Sequence, residues 1–542
     1  MQGSTLAKRS WLLLIVLCAF SYSYGLGRAP LVGSDEPRYA EVAREMSVRG
    51  DWVTPTLGGH TWFEKPALVY WAAMASYKVF GVVEWSARLG TLCAGLLTVL
   101  IMGWLAGRIE TATGADWRGF KLSVTSVTAT CAGVMVFARA VNFDIFVTCT
   151  IACALACFCL AELERDERRR RWWLAGFYAA MGAGLLAKGL VGVVLPIGVV
   201  GFYYLLRRCW PSLWLTLLWG GPLTFAVACL WYAPVIARNG WTFVDQFFIQ
   251  QHFARYVSNK YHHPQPFYFY LPVLAALMLP WTAFLISALV NARRWRWRGD
   301  EPKDKLRIFA LAWVVVPVAF FSLSGSKLPG YILPALPGAA LLAGEPLLNY
   351  LRGTSERATM RATGLLLLFF AACLVGYVWR TRAVGMNCAA LITTLPVLAA
   401  CCALAWPQRR RLCAWGTVAA ALGVVVLISA CALATVARHN SVRDLLQQAA
   451  ARGYANAPVY CLHEIERTAE FYAAGRLAYD AQGEPVKLEG VGEVMALARA
   501  RGDALLIIVP VEYVWQLTSY PWLTAEVIGD NGANALVAVR AR

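Results

Sequence analysis

The most regular pattern along the chain is a succession of apolar stretches separated by short polar ones. Each apolar stretch is about 20 residues long, which is the length of a helix that crosses the hydrocarbon core of a membrane. Such stretches form helices in lipid because a helix satisfies its own backbone hydrogen bonds. The pattern predicts a polytopic α-helical membrane protein with about thirteen transmembrane helices, at residues 9–27, 84–107, 119–138, 143–162, 172–187, 189–206, 213–236, 268–290, 307–324, 331–347, 362–379, 388–406 and 412–435.

Basic residues between the apolar stretches occur in alternate loops. Loops rich in Lys and Arg stay on the cytoplasmic side of a membrane. A single assignment of sides fits every basic cluster, so the pattern predicts a multi-pass plasma-membrane protein with its N-terminus in the cytoplasm and its C-terminus outside. The clusters lie after the second, fourth, sixth, eighth, tenth and twelfth stretches, at residues 108–121, 165–171, 207–208, 293–307, 352–361 and 409–411.

Two of the outer loops, 28–83 and 237–267, are too long to be simple turns. In the first, GSDEPRYAEVAREMSVRG offers Ser34 or Asp35 as a cap, a Pro in the first turn and a terminal Gly, which predicts a helix of about four turns. The next stretch, WFEKPALVYWAAMASYKVFG, is apolar but interrupted by Pro66, which favours a helix lying along the membrane surface. The second loop has aromatic residues at helical spacing and predicts another surface helix.

The pattern changes after residue 435, where short amphipathic and apolar stretches alternate. HNSVRDLLQQAAARG, IERTAEFYAAG and GVGEVMALARARG predict helices, whereas APVYCLH, ALLIIVP and ALVAVRA predict strands. This alternation is typical of a small α/β domain. The domain has no Gly-rich phosphate fingerprint, so we expect it to stabilise the protein or to guide substrate rather than to catalyse. The predicted domains are therefore a transmembrane domain, 1–435, and an outer α/β domain, 436–542.

The amino-acid composition mainly excludes a soluble protein that binds nucleic acid. The 542 residues are 59% hydrophobic and 15% charged, whereas soluble proteins are about 45–50% apolar and about 25% charged. The formal net charge of +18 would suggest nucleic acid in a soluble protein. Here the cations follow the alternation of the loops, so they indicate topology, and membrane lipids rather than nucleic acid are the expected surroundings.

Acids and bases gather at the outer ends of the spans and in the outer loops. Charged groups at membrane depth are costly and generally face a cavity or a partner, so they are the candidates for chemistry. Carboxylates mixed with cations suit the handling of a phosphate, because cations neutralise it while a carboxylate orients or deprotonates an attacking group. The alternatives are structural ion pairs and, for Asp144, a helix N-cap. The gathered residues are Asp35, Glu36, Arg38, Tyr39, Glu64, Lys65, Asp144, Lys188, His252, Arg255, Lys327 and Tyr331.

Four stretches resemble a known family. DEPRYAEVAREM, GDWVTPTLGGHTWFEKPALVYW, NFDIFVT and SGSKLPGYILPALP are similar to the bacterial 4-amino-4-deoxy-L-arabinose (aminoarabinose) lipid A transferases, relatives of the protein O-mannosyltransferases. The resemblance implies a GT-C type glycosyltransferase of the bacterial inner membrane, with a catalytic transmembrane domain and a periplasmic C-terminal domain. It implies an undecaprenyl-phosphate-linked aminosugar donor, a lipid A phosphate as acceptor, and resistance to polymyxin and other cationic antimicrobial peptides.

The resemblance also implies roles for individual residues. The acidic motif of the family falls on Asp35 and Glu36, and a further catalytic acid falls on Asp144. Two positions where the family holds a divalent cation such as zinc fall on Glu64 and His252, although two ligands are too few to establish a metal site. Substrate contacts, above all with the donor phosphate, fall on Arg38, Tyr39, Lys65, Tyr70, Arg255, Lys327 and Tyr331.

The implied reaction is a direct displacement at the anomeric carbon, which inverts its configuration. Because the acceptor phosphate is already anionic at neutral pH, Asp35 need not act as a base. One alternative is a mannosyltransferase that acts on exported proteins with a polyprenyl-phosphate donor, for which a base would be required. The other is a flippase for lipid-linked sugars, which we would expect to have repeated halves and charges near the membrane midplane.

Overall fold

The computed structural model describes residues 2–209, 214–247, 249 and 265–542. The last part of the predicted surface helix in 237–267 therefore lies largely outside the described residues. Its first residues continue the preceding long helix, which bends at Gly240, where the backbone leaves the helical region with a φ of 54°.

The chain forms two compact units, and each is assembled from separate stretches of sequence. The predicted division into domains 1–435 and 436–542 stays a prediction, because compactness alone does not reveal which residues lie in lipid. The first unit comprises Met1–Tyr24, Glu64–Val69 and Gly90–Ile428, and the second comprises Gly25–Phe63, Tyr70–Leu89 and Ser429–Arg542.

Long apolar helices dominate the chain. Among the described residues, eight helices are long and apolar enough to cross a membrane, or nine if one bent pair counts as a single span. The predicted fold class, a polytopic α-helical membrane protein, is confirmed, whereas the number of about thirteen transmembrane helices stays a prediction. In chain order the helices that coincide with predicted spans are Gln2–Ser23, Glu84–Thr113, Phe120–Thr130, Ala132–Phe137, Asp144–Leu163, Glu167–Lys188, Val191–Arg207, Trp214–Phe243, Tyr270–Leu277, Thr282–Asn291, Pro302–Ser322, Leu336–Arg352, Arg357–Thr381, Met386–Ala405 and Arg410–Leu427.

Two of the predicted spans are broken helices. The predicted third span divides at Cys131, which has an extended backbone with φ −72° and ψ 136°. The predicted eighth span contains Pro280, which has no backbone N–H to donate, and its two halves are bent by 119°. Hydropathy reports the length of an apolar stretch but not the direction of its axis, so the sequence did not show these breaks.

Both helices that were predicted in residues 28–83 are present, and all of their residues except Leu68 and Val69 belong to the second unit. The helix Asp35–Arg49 ends at Gly50, whose left-handed backbone, with a φ of 65°, turns its N–H back to the carbonyl oxygens of Met46 and Ser47. The helix Leu68–Phe80 forms the apolar stretch that follows. Between them lies a small antiparallel hairpin that was not predicted, with strands β1, Thr56–Leu57, and β2, His60–Thr61.

The C-terminal part of the second unit is a five-stranded mixed sheet with the order β4-β3-β5-β7-β6. Strand β3 runs parallel to β4 and β5, whereas β7 is antiparallel to β5 and β6. The predicted strands are β3, β5 and β7, and the sequence missed β4 and β6. The strands are β3, Val459–Leu462; β4, Lys487–Leu488; β5, Leu505–Pro510; β6, Leu523–Asp530; and β7, Asn534–Ala541.

Helices cover both faces of this sheet. Leu445 and Leu446, from the helix Arg443–Ala449, pack on one face. Val494, from the helix Val491–Arg501, packs on the other. Every residue of β5 is buried, which agrees with its unbroken apolar sequence LLIIVP. Two short helices complete this part of the unit, at Ala469–Tyr472 and Val514–Thr518.

Candidate active site

The predicted catalytic acid Asp35 is the first residue of the helix Asp35–Arg49, and its side chain is exposed. The helix starts there because Pro37 is favoured in a first turn and because the first turn of a helix stabilises negative charge. Ser34, the other predicted cap, makes no capping hydrogen bond. The helix therefore presents Asp35 to its surroundings with the carboxylate uncovered.

Glu36, the second predicted catalytic residue, lies in a buried ion pair. Arg88 donates from Nε to Glu36 Oε1 at 2.7 Å and from Nη2 to Oε2 at 2.9 Å. The same guanidinium also donates to the carbonyl oxygens of Leu26, Ala29 and Pro30. With Glu36 6% and Arg88 4% exposed, this arrangement fixes the chain that leads into the helix and leaves the carboxylate little access to substrate.

Arg38 and Tyr39 follow on the same helix and make protein contacts. Arg38 Nε donates to Glu470 Oε2 at 3.3 Å, and the guanidinium lies 5.2 Å from the centre of the Trp62 ring. The Tyr39 ring packs edge-on against Tyr70, with 6.5 Å between their centres. Tyr39 is 5% exposed and Tyr70 is fully buried, so neither ring reaches the surface of the protein.

Glu41, one turn further along, is buried and paired with Arg44, which donates to it at 2.6 and 2.5 Å. Burial nevertheless raises the pKa of Glu41 to about 7. Burial likewise raises the pKa of Glu470, although Arg38 and Arg467 oppose the shift. The other charged groups that act on Glu41 are Glu45 and Glu470.

In the first unit, Asp144 is held by Lys188. The carboxylate accepts a short hydrogen bond from Lys188 Nζ, and that Nζ lies 4.6 Å from the centre of the Tyr331 ring. The alternative role of Asp144 as a helix N-cap belongs instead to Asn142, whose Oδ1 accepts from Ile145 N at 2.9 Å. Asp144, Lys188 and Tyr331 thus form one cluster of an acid, a cation and a phenol, with 18% of the Asp144 side chain and 15% of the Lys188 side chain exposed.

The loop that carries Tyr331 approaches this cluster closely. A Cβ atom added at Gly330 would lie 2.4 Å from Asp144 Oδ2 and 2.7 Å from Phe137 Cε1. Only a residue without a side chain can therefore occupy position 330 while Asp144 keeps its place. Lys327, in the same loop, is 7% exposed and donates from Nζ to Ser324 O at 2.6 Å.

Glu64 and Lys65 are paired with each other, with 2.8 Å between Lys65 Nζ and Glu64 Oε1. Their side chains are 17% and 15% exposed, so both keep some access to solvent. Arg255 and His252, predicted to contact the donor phosphate and a metal ion, lie outside the described residues. Among the residues that the structure describes, no group of three or more His, Cys, Asp or Glu side chains could hold a metal ion.

Arg88 and Glu470 were not among the candidate residues gathered from the sequence, and Lys188 was gathered but received no role from the resemblance. Lys188 had a signal in the sequence, because it is a lone cation in the turn between two apolar stretches. Arg88 was a charge near the start of a predicted span, which is itself a sign of a buried partner. Glu470 had no such signal, because an acid in an amphipathic helix is ordinarily solvated.

The sequence of this chain is similar to one family model and to curated glycosyltransferases. Residues 12–252 match the family described as dolichyl-phosphate-mannose-protein mannosyltransferase. The undecaprenyl phosphate-alpha-4-amino-4-deoxy-L-arabinose arabinosyl transferase of Pseudomonas paraeruginosa is 34% identical over 375 residues, which are 67% of this chain and 64% of that protein. The protein of the same name from Erwinia tasmaniensis is 33% identical over 364 residues, 66% of this chain and 63% of that protein. The matched part thus spans somewhat less than two thirds of these curated relatives.

Comparisons of structure extend the match over nearly the whole chain. The crystal structure of ArnT from Cupriavidus metallidurans bound to undecaprenyl phosphate has a TM-score of 0.77 and 26% identity, and the match covers 97% of this chain and 98% of that one. The oligosaccharyltransferase of Archaeoglobus fulgidus, at 12% identity, shares the fold alone, with a TM-score of 0.51 over 92% of this chain and 68% of that one. The sequence and structural matches agree and confirm the predicted resemblance to the aminoarabinose transferases, relatives of the protein mannosyltransferases, with which this chain shares the GT-C fold.

Proposed function

We propose that the protein is an integral membrane glycosyltransferase that moves 4-amino-4-deoxy-L-arabinose from undecaprenyl phosphate to a phosphate of lipid A. The observation that carries the proposal is the near full-length match to ArnT, which was solved with undecaprenyl phosphate bound. The added amine lowers the negative charge of lipid A. The product would therefore attract polymyxin and other cationic antimicrobial peptides less strongly.

The reaction is a displacement at the anomeric carbon of the sugar. An oxygen of the acceptor phosphate forms the new bond to this carbon, and the bond to the undecaprenyl phosphate oxygen breaks, leaving its electron pair on the departing phosphate. A single displacement inverts the configuration. Cations that contact the departing phosphate favour the step because they stabilise the charge that develops there.

We assign the roles one residue at a time. Asp35 positions the aminosugar through its ammonium group or stabilises positive charge that develops at the anomeric carbon, and its exposed place at a helix start supports this role. Asp144 acts together with Lys188, to which it is hydrogen bonded. Glu36 is proposed to support Asp35 from its ion pair with Arg88. Contacts to the donor are assigned to Arg38, Tyr39, Lys65, Tyr70, Arg255, Lys327 and Tyr331.

We further propose that Glu64 and His252 contribute to a divalent metal site. Carboxylate and imidazole ligands suit zinc, which would supply positive charge for a phosphate. Glu64 is accessible enough to take part, although its Oε1 accepts a hydrogen bond from Lys65. Elemental analysis of the purified protein and of a His252→Ala variant tests the site. Equal zinc content in the two proteins would show that His252 is not a ligand.

The proposed location is the bacterial inner membrane, with the N-terminus in the cytoplasm and the C-terminal α/β part in the periplasm. The support for this topology is the alternation of basic loops together with the apolar helices. An exposed position in the C-terminal part, such as Thr518, can be replaced by Cys and labelled in intact cells. Labelling by a thiol reagent that does not cross the inner membrane is expected, and protection from the reagent would refute the topology.

Mass spectrometry of lipid A tests the function directly. Cells that contain the protein should show lipid A with the added mass of aminoarabinose, and cells with the Asp35→Asn variant should show little of it. The match to the mannosyltransferase family favours one second candidate, transfer of mannose to exported proteins. Membranes given each radiolabelled donor separate the two, and label on protein with none on lipid A would refute the transferase proposal.

A further inference from the structure

Glu470 is a buried acid that links the C-terminal part of the second unit to the helix that begins at Asp35. It lies in the short helix Ala469–Tyr472 and is 1% exposed. Its carboxylate accepts hydrogen bonds from Arg38 Nε at 3.3 Å and from Arg467 Nη1 at 2.8 Å. Because Arg38 is three residues after Asp35, this bond acts within one turn of the proposed catalytic acid.

A second link lies on the other side of Asp35. The hydroxyl of Tyr472 accepts a hydrogen bond from Leu31 N at 2.6 Å and lies 3.2 Å from Glu84 Oε1. Glu84 in turn accepts a hydrogen bond from Arg443 Nη1 at 3.1 Å. The backbone four residues before Asp35 and the side chain three residues after it are therefore both held by one turn of the C-terminal part.

Stability alone does not explain why a charged group is buried in these links. Taking a carboxylate out of water is unfavourable, and a well-packed apolar group would often serve stability as well. A buried ion pair does fix geometry, because the pair tolerates few arrangements that keep both charges satisfied. The cation–π contact of Arg38 with Trp62 restricts the guanidinium further. Glu470 and Trp62 thus both hold the Arg38 guanidinium.

We propose that the C-terminal part of the second unit positions Asp35, and that Glu470 is the positioning residue through which it acts. This inference rests on the proposed function in one respect, since it takes Asp35 as a group that acts on the substrate. It gives the C-terminal part a role in the reaction although it places no residue of that part on the substrate. A displacement of a reacting group by about 1 Å lowers turnover about a hundredfold, so loss of Glu470 should lower kcat strongly. Because Arg38 is also a proposed donor contact, donor KM should rise too, but by a smaller factor than kcat falls.

The test compares Glu470→Gln with a matched control, Glu484→Gln. Glu484 also accepts from Arg467, at 2.9 Å, but its side chain is 49% exposed and it makes no bond to Arg38. The purified full-length variants are assayed for kcat and donor KM, and amide hydrogen exchange of residues 31–49 is followed by mass spectrometry. Glu470→Gln should lower kcat by tenfold to a hundredfold, raise donor KM by a smaller factor and speed exchange in residues 31–49. Glu484→Gln should stay within twofold of wild type in all three.

Three outcomes would overturn the proposal. They are wild-type kcat in Glu470→Gln, reduced kcat with unchanged exchange in residues 31–49, and an equal loss in the two variants. If Glu470→Gln does not fold, Glu470→Asp keeps the charge on a shorter side chain and is judged by the same three readouts. A failure of the proposed function can be told apart from a failure of this proposal. If Asp35→Asn transfers sugar at the wild-type rate, the role proposed for Asp35 is wrong. Hydrogen exchange in residues 31–49 of Glu470→Gln, in contrast, reports only whether Glu470 holds this segment.

Discussion

Gly330 offers a way to move the carboxylate of Asp144 without changing any charge. A methyl group at position 330 would lie 2.4 Å from Asp144 Oδ2 and 2.7 Å from Phe137 Cε1. Ordinary contacts between carbon and oxygen are about 3.3–3.6 Å. The Gly330→Ala substitution therefore pushes the carboxylate by about 1 Å, or moves the loop by the same amount, and it disturbs the bond from Lys188.

The expected effect on the reaction follows from that displacement. A misplacement of about 1 Å costs about a hundredfold in rate, which corresponds to about 2.7 kcal/mol of transition-state stabilisation. Added bulk in a packed region also lowers the free energy of unfolding, typically by about 1–3 kcal/mol. We therefore expect Gly330→Ala to fold with a lower melting temperature and to transfer sugar about a hundredfold more slowly.

The assay is transfer of labelled aminosugar to lipid A by purified protein in detergent, with folding checked by size-exclusion chromatography. The control is Gly201→Ala, because a Cβ atom at that helical position meets nothing within 4 Å. The control should keep its rate within twofold. If Gly330→Ala folds and also transfers at the wild-type rate, then Asp144 is either placed differently or not needed, and the proposed role of this cluster is wrong.

Three further predictions concern the second unit. Lys at position 88 cannot donate to a carboxylate and to three carbonyl groups together, so Arg88→Lys should lower the free energy of unfolding by about 3 kcal/mol, seen as earlier melting in detergent. Burial raises the pKa of Glu41 from 4.5 to about 7, so the folded state holds this proton more tightly than the unfolded state does. Stability should therefore fall by about 3 kcal/mol as the pH rises through this range, and melting curves of Glu41→Gln should lack that part of the pH dependence. A Cβ atom at Gly58 would lie 2.3 Å from the Tyr479 ring, at a φ of 59°. Gly58→Ala should thus melt earlier, and by a smaller margin when Tyr479 is also replaced by Ala.

Hydropathy was sufficient to predict the fold class. Lipid requires every transmembrane helix to be a long apolar stretch, and such stretches can be read directly from the sequence. The helix Asp35–Arg49 was equally predictable, since Pro37 and Gly50 mark its two ends. The breaks at Cys131 and Pro280 were not predictable, because tertiary packing decides the direction of each half. Strand β6 was missed since half of it is exposed, so its apolar pattern is weak.

For the candidate site, the sequence indicated which residue types matter but not which of them are paired. Asp144 and Lys188 are 44 positions apart, and Glu36 and Arg88 are 52 positions apart. No local pattern could reveal such pairs, because the fold alone brings their elements together. Side chains of one charge type therefore differ in role, since Asp35 is exposed whereas its neighbour Glu36 is enclosed.

The two links to Leu31 and Arg38 span 441 and 432 residues of the chain. A ribosome that adds about 5–20 residues per second needs roughly 20–90 seconds to pass from one end of such a link to the other. During that time residues 35–49 have been synthesised, but their partners Tyr472 and Glu470 have not. Biosynthesis thus imposes an order of events, because the helix Asp35–Arg49 can make these two links only after residues 470–472 have been synthesised. If Glu470 positions Asp35 as proposed, a nascent chain interrupted before residue 470 would be inserted in the membrane but inactive.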